Sequence, residues 1–211
     1  MKYVLCYGDS NTWGCIPETF GRYDFDVRWT GVAQKELGSE YHLYENALNG
    51  RTTVFEDPIE EGRNGRDGFE ATLMENAPLD AIVLFLGIND VKIRFHQEPW
   101  DIAWGMELLI SLIEKQKVGR DGKTPAILVV SPVYAGTTYG KSLHGTVFDA
   151  ESTRKTHELP ETYEFIAKMH NCRFLNAGEV AKAGPDGVHL FPEDHKKLGL
   201  AIAKELKSMI G

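Results

Sequence analysis

Apolar and polar positions divide the 211-residue chain into short apolar runs separated by longer stretches of helical period. The apolar runs occupy residues 3–7, 42–47, 81–86, 126–130 and 173–176. The third and fourth, AIVLFL and AILVV, are unbroken and bounded by Gly, Pro or Ser. Such runs fit strands buried on both faces, as in a parallel sheet covered by helices. The intervening stretch 29–37 has apolar residues at 29, 32, 33 and 37, and 99–117 repeats them at 102, 106, 109, 110 and 113. Residues 153–170 complete the crossovers, and 193–210 places apolar residues at 198, 202, 206 and 209 or 210. All of these predict helices with one buried face. Gly38 and Gly211 stand where such helices should stop.

Strands alternating with helices predict one doubly wound α/β domain over residues 1–211, with right-handed crossovers and helices on both faces of the sheet. Two long irregular stretches, 11–28 and 134–151, interrupt the alternation. Loops of that length inside a compact domain are often functional. They would flank the carboxyl ends of the strands, where open α/β sheets bind ligands.

Charge narrows the partners. The chain carries 31 acidic against 23 basic residues, a net charge of −8. Such a surface disfavours nucleic acid and anionic membranes. The overall acidity reads as a solubility feature, and Asp57, Glu60 and Glu61 make a small acidic cluster within it. A chain this long buries roughly 70% of its unfolded surface, so its core needs no disulfide or metal. The three cysteines, Cys6, Cys15 and Cys172, have neither paired nor zinc-ligand spacing. They point to a reducing compartment. The N-terminus runs straight into the first strand without a signal-peptide apolar region, and no apolar run is long enough to span a bilayer. The expected location is cytoplasmic.

Candidate chemistry gathers at the strand ends. Gly8-Asp9-Ser10-Asn11-Thr12-Trp13-Gly14 follows the first strand. Taken alone it is either a helix cap or a serine projected into the crevice. A serine hydroxyl needs a base to act as a nucleophile. Among the seven histidines, His189 follows the fifth strand and has Asp186 three residues before it. That spacing can bring a carboxylate to an imidazole, to fix its tautomer and stabilise the imidazolium. The competing reading is a turn with a surface histidine. His42, His96, His144, His157, His170 and His195 lack a comparable strand-end partner and read as surface or packing residues. Asn49-Gly50-Arg51-Thr52-Thr53 follows the second strand and Gly87-Ile88-Asn89-Asp90 the third. The Gly50 backbone N–H and the Asn89 amide are donors of the kind an oxyanion requires. Each segment alone is an ordinary turn signal. Four of them after strands of one sheet, with complementary chemistry, favour a catalytic site.

Gly8-Asp9-Ser10, Gly50, Gly87-x-Asn89-Asp90 and Asp186-x-x-His189 together resemble the four sequence blocks of the SGNH (GDSL-type) hydrolases, in order along nearly the whole chain. The resemblance implies a three-layer α/β/α fold with a five-stranded parallel sheet of order 2-1-3-4-5. It implies Ser10 as nucleophile, His189 as general base and then acid, and Asp186 as the group that orients His189. The backbone N–H groups of Ser10 and Gly50 and the side chain of Asn89 would form the oxyanion hole. No metal or organic cofactor is implied. Asp26-Val27-Arg28-Trp29-Thr30-Gly31, Gly50-Arg51-Thr52-Thr53, Asp101-Ile102-Ala103 and Val129-Val130-Ser131-Pro132 are similar to the aryl esterase and acyltransferase (perhydrolase) subgroup. That subgroup implies short-acyl esters of aryl or simple alcohols as small-molecule substrates, acyl transfer to other acceptors, and a homo-oligomer. The chain departs from the subgroup at Asn11 and across 134–151. Asn11 and Trp13 are the expected substrate-binding residues. Trp100 and Trp104, four apart on one helix face, are expected in the core or at a subunit contact. Arg51 and Asp9 read as loop anchors. Two other functions remain open: a carbohydrate acetylesterase, and a non-catalytic binding protein on the same scaffold.

Overall fold

Alternation along the strands sends apolar side chains to both faces of one sheet. In β1 (Lys2–Gly8), Val4 and Cys6 face one way and Leu5 and Tyr7 the other. In β3 (Ala81–Phe85), Ile82 and Leu84 oppose Ala81, Val83 and Phe85. In β4 (Ala126–Ser131), Ile127 and Val129 oppose Leu128 and Val130. A strand with two apolar faces needs cover on both, which is why these runs are unbroken in sequence. β2 (Tyr41–Ala47) and β5 (Arg173–Asn176) form the edges. The computed structural model describes residues 1–138 and 146–211. All strand pairs in it are parallel, in the order β2-β1-β3-β4-β5. This is the expected doubly wound α/β sheet. Gly8 pairs with Ala47 on one side and Phe85 on the other, so β1, β2 and β3 end level. The loops that leave them share one edge.

Helices form the outer layers. α3 (Phe69–Glu75), α4 (Pro99–Gln116) and α5 (Ala150–Met169) cover the face carrying Leu5 and Tyr7. α2 (Trp29–Leu37) and α7 (Pro192–Ile210) cover the other, with Trp29, Ala33, Leu198 and Ile202 fully buried. Gly38 ends α2 in the left-handed region and Gly211 caps α7. Among the described residues, no helix is long and apolar enough to cross a membrane.

Several boundaries differ from the sequence expectation. α5 begins at Ala150, not 153, because the Asp149 carboxylate accepts from Ser152 N–H at 2.9 Å and caps the helix. The expected irregular stretch 134–151 therefore ends in a helix start, and its residues 139–145, His144 included, lie outside the described residues. The irregular stretch 11–28 opens on a short helix, α1 (Ser10–Trp13). α6 (Ala177–Val180) follows β5 directly. Trp100 and Trp104 are 45% and 47% exposed, so neither belongs to the core.

α2 and α7 meet at Gly199. A Cβ there would stand 2.6 Å from the Trp29 carbonyl oxygen and 2.8 Å from Val32 Cβ. Ala is the better helix former by about 1 kcal/mol, but overpacking a tight contact costs about 1–3 kcal/mol. Gly199→Ala is therefore expected to lower stability in urea unfolding. A gain in stability would show that the two helices are free to separate.

Candidate active site

The turn after β1 begins with a cap. Asp9 adopts extended backbone and its Oδ1 accepts from Asn11 N–H at 2.9 Å, which starts α1. Cap and projected serine are thus the same device, because the cap aims Ser10 out of the strand end. The Ser10 Oγ lies 3.0 Å from His189 Nε2, and His189 Nδ1 lies 2.7 Å from Asp186 Oδ2. Asp186 is fully buried, while Ser10 and His189 are 4% exposed. Asp186 Oδ1 also accepts from the N–H groups of Val188 (3.0 Å) and His189 (2.9 Å), so the carboxylate folds its own turn. A carboxylate can only accept, so Nδ1 carries the proton and Nε2 is left to accept from the Ser10 hydroxyl. That chain of groups can take a proton from Ser10 without leaving an unpaired charge in the interior.

The serine turn and the histidine turn are far apart in sequence, and Asn11 joins them. Its Nδ2–H donates to Val188 O at 3.2 Å, and Leu190 N–H donates to its Oδ1 at 3.1 Å. Asn11 was expected to bind substrate, yet its amide is spent on this strap and it does not line the cavity beside Ser10. Trp13 does not line it either. Its ring lies under the Arg22 guanidinium, 5.0 Å from the centroid.

Gly50 and Asn89 stand on the same rim. Gly50 has φ +80°, a conformation that favours glycine and turns the chain after β2. Arg51 then reaches back under the site. It donates to Gly8 O (3.0 Å) and Asn46 O (2.9 Å), and stacks 4.1 Å from the Tyr7 ring centroid. Asn89 Nδ2 donates to Arg51 O at 3.0 Å, leaving a second N–H on that amide. Asp90 accepts from the Thr53 N–H (2.8 Å) and hydroxyl (2.6 Å), which locks the loop after β2 to the loop after β3.

A cavity of about 210 Å³ opens beside Ser10, Asn89, Gly50 and His189. Cys15, Phe20, Val147, Phe148 and Val188 form its apolar side, and Asn49, Glu60 and Lys92 its polar side. The loop bearing Cys15 and Phe20 is held by Arg22 and Arg28, which pair with Glu45 at 3.2 and 2.9 Å. Sequence reasoning missed the lining residues because they come from loops distant in sequence. Asp57 is 2% exposed and pairs with Arg94 at 2.5 Å, so it is structural and not a solubilising surface charge. Lys92, in the turn that carries Asn89, was the available signal. Among the described residues, no group of three or more His, Cys, Asp and Glu side chains could hold a metal ion. His195 is fully buried and accepts from Trp29 N–H at 3.3 Å, a packing residue as expected.

Burial sets the charge state beneath the serine. It pushes the Asp9 carboxyl up to about 7, with the charge of Asp90 adding and the Asn11 N–H, Arg51 and Lys92 opposing. It pushes Asp90 up to about 6, against the Thr53 hydrogen bonds. The unfolded carboxyls ionise near pH ~3.9, so the folded chain holds extra protons from there up to about 7. The contribution of Asp9 is full below the unfolded value and is lost as pH rises through about 7. His195, pushed down to about 4 by burial, acts oppositely on the acid side, with an unfolded value of ~6.5. Between about pH 6.5 and 8 His195 still offsets part of the Asp9 effect and the cysteines, raised by burial, add to it, so the Asp9 share is the difference between wild type and Asp9→Asn. The wild-type melting temperature should fall across that interval, and Asp9→Asn, which keeps a capping oxygen, should flatten the fall. Parallel declines would show that Asp9 is already ionised in the folded state.

The model of the GDSL-like lipase/acylhydrolase family matches residues 6–196. No curated protein matches the chain. Among solved structures, the native aryl esterase of M. smegmatis superposes with a TM-score of 0.91 at 34% identity, covering 99% of this chain and 100% of that one. A carbohydrate acetylesterase from Sinorhizobium meliloti gives 0.90 at 34% identity, covering 99% of both chains. A lipase/acylhydrolase from Enterococcus faecalis, at 17% identity and TM-score 0.71, shares the fold, covering 100% of this chain and 98% of that one. The chain belongs to the GDSL-like lipase/acylhydrolase family of SGNH hydrolases and is an enzyme that hydrolyses ester bonds.

Proposed function

We propose that this enzyme is a serine carboxylic ester hydrolase of short-acyl esters, acting through an acyl-Ser10 intermediate within one domain over residues 1–211. The observation that carries the reading is the Asp186–His189–Ser10 hydrogen-bond chain beside a cavity of about 210 Å³. That volume lies below the ~300–1,000 Å³ of pockets for drug-sized ligands, which suits a small acyl group.

The roles follow from the atoms. Ser10 Oγ attacks the ester carbonyl as its proton passes to His189 Nε2. Asp186 Oδ2 holds the resulting imidazolium. The negative charge on the carbonyl oxygen falls to the N–H groups of Ser10 and Gly50 and the Asn89 amide, whose second N–H is not the one given to Arg51 O. His189 then protonates the leaving alcohol, and water attacks the acyl-serine with His189 as base. An alcohol or hydrogen peroxide in place of water would give acyltransferase or perhydrolase activity at the same site. Aryl and simple alkyl esters suit the apolar side of the cavity. A second reading, a carbohydrate acetylesterase, is favoured by the polar side, Asn49, Glu60 and Lys92.

Two further proposals concern the setting. The three free cysteines suit a reducing, cytoplasmic location. Trp100, Trp104 and Phe165 form an exposed aromatic cluster, with ring centroids 6.2 and 5.4 Å apart, and this surface suits a homo-oligomer contact.

Turnover of p-nitrophenyl esters from acetate to octanoate tests the reading. Wild type should hydrolyse the short esters and fall away with chain length. Ser10→Ala should lose roughly a thousandfold or more, and Asn89→Ala about 10²–10³ in kcat. Full activity in Ser10→Ala would remove the serine mechanism. Equal turnover of octanoate would remove the short-acyl limit.

A further inference from the structure

We infer that the Glu45 carboxylate is the positioning residue for one wall of the active-site cavity: by pinning the base of the hairpin 15–22, it sets how long an acyl group the enzyme accepts. This rests on the short-acyl ester-hydrolase reading above and assigns a residue to the size limit of that same site.

Two side chains on the apolar side of the cavity, Cys15 and Phe20, come from one irregular hairpin. Cys15 and Arg22 pair as an antiparallel bridge at its base. Ile16 N–H donates to Gly21 O at 2.8 Å, and Phe20 N–H donates to Ile16 O at 3.1 Å. The turn holds Glu18 and Phe20 at φ +68° and +58°. Such angles strain residues other than glycine, and they persist where the surroundings over-determine them. Phe20 is 48% exposed although it lines the cavity, so burial of its ring is not what fixes the turn. The volume open to an acyl group therefore follows the position of the hairpin base.

Two arginines clamp that base. Arg22 Nε donates to Trp13 O at 2.8 Å. The Arg28 side chain runs against Gly14, where a Cβ would stand 2.4 Å from its Cγ. Both guanidinium groups turn to one oxygen, since Glu45 Oε2 lies 2.9 Å from Arg28 Nη1 and 3.2 Å from Arg22 Nη2. Oε1 accepts from the Thr30 hydroxyl of α2. Glu45 itself pairs with Cys6 in the sheet, so the clamp is anchored in β2. Among the charges acting on Arg28, Glu45 attracts most strongly, Arg22 repels and Asp24 attracts less. The Arg28 side chain is 10% exposed, and a charge so buried is costly once its partner is gone. Without the Glu45 charge the two cations repel and Arg28 must turn towards water, which shifts the hairpin base and the wall with it. The Asp186–His189–Ser10 chain is tied separately through Asn11, so the wall can move without dismantling it.

A purely structural loss would lower the turnover of every ester by one factor, so the test is a ratio. The kcat/KM for p-nitrophenyl octanoate is divided by that for p-nitrophenyl acetate, in wild type, Glu45→Gln and Arg22→Met. Glu45→Gln is isosteric and keeps an acceptor for Thr30 but carries no charge. The Arg22 side chain is 41% exposed, so Arg22→Met serves if Glu45→Gln does not fold. The ratio should rise by about tenfold or more in Glu45→Gln, the scale on which a pocket discriminates by methylene groups. It should rise less in Arg22→Met, which leaves Arg28 paired. The KM for acetate should rise in both, because a wall that moves away holds a two-carbon acyl group less closely. A wild-type ratio in each variant that folds, whatever the absolute rates, overturns the inference and leaves the short-acyl esterase reading standing. A wild type that cleaves octanoate as fast as acetate would instead remove the short-acyl reading and this inference with it. A wild type no more active than Ser10→Ala on either ester would remove the esterase reading as well.

Discussion

The Asn11 amide is the interaction on which the site's geometry depends. It bonds in both directions to the histidine turn, donating to Val188 O and accepting from Leu190 N–H, while its own backbone N–H donates to Asp9. The serine turn comes from the start of the chain and the histidine turn from its last quarter. Their proton path tolerates little error, since a hydrogen bond fails beyond about 3.5 Å. A doubly wound sheet brings the two turns to the same edge, but sheet pairing alone does not fix two loops to a few tenths of an ångström. The strap does so with a short, stiff side chain, buried at 2% exposure where water cannot compete.

The remaining rim is built on the same logic of buried polar atoms spent on loops. Arg51 clamps the ends of β1 and β2 from below, stacked on Tyr7. Asp90 bonds Thr53 twice and so fixes the loop that carries Gly50 to the loop that carries Asn89. Each of these atoms would be costly if left unpaired. The rim is therefore rigid before any substrate arrives, which suits groups that stabilise charge as it develops. The cavity beside it has an apolar side and a polar side.

Much of this was legible in the sequence because it was written locally. β3 and β4 are unbroken apolar runs, which only a doubly covered strand requires. Ser10, Gly50, Asn89 and His189 each follow a strand, so alternation alone brings them to one edge. α3 escaped notice: it spans seven residues, buries only Phe69 and Leu73, and starts at Gly68 without a side-chain cap. Long-range pairing was also invisible. Asp57 and Glu60 look like solvated charge until the fold sets Lys92 and Arg94 against them. Asn11 lies next to the serine and was read as facing substrate, because nothing in its neighbours reveals that Val188 and Leu190 claim both ends of its amide. Phe20, Val147 and Phe148 reach the cavity from irregular loops that carry no periodic signal.

Covalent chemistry at Ser10 is the central claim, and trapping the intermediate tests it most directly. The enzyme would be mixed rapidly with p-nitrophenyl acetate, quenched in acid and mapped by peptide mass spectrometry. The account predicts a burst of p-nitrophenol matching the enzyme concentration and an acetyl group on the peptide bearing Ser10. Steady turnover with no burst and no adduct, or an adduct on another residue, would contradict it.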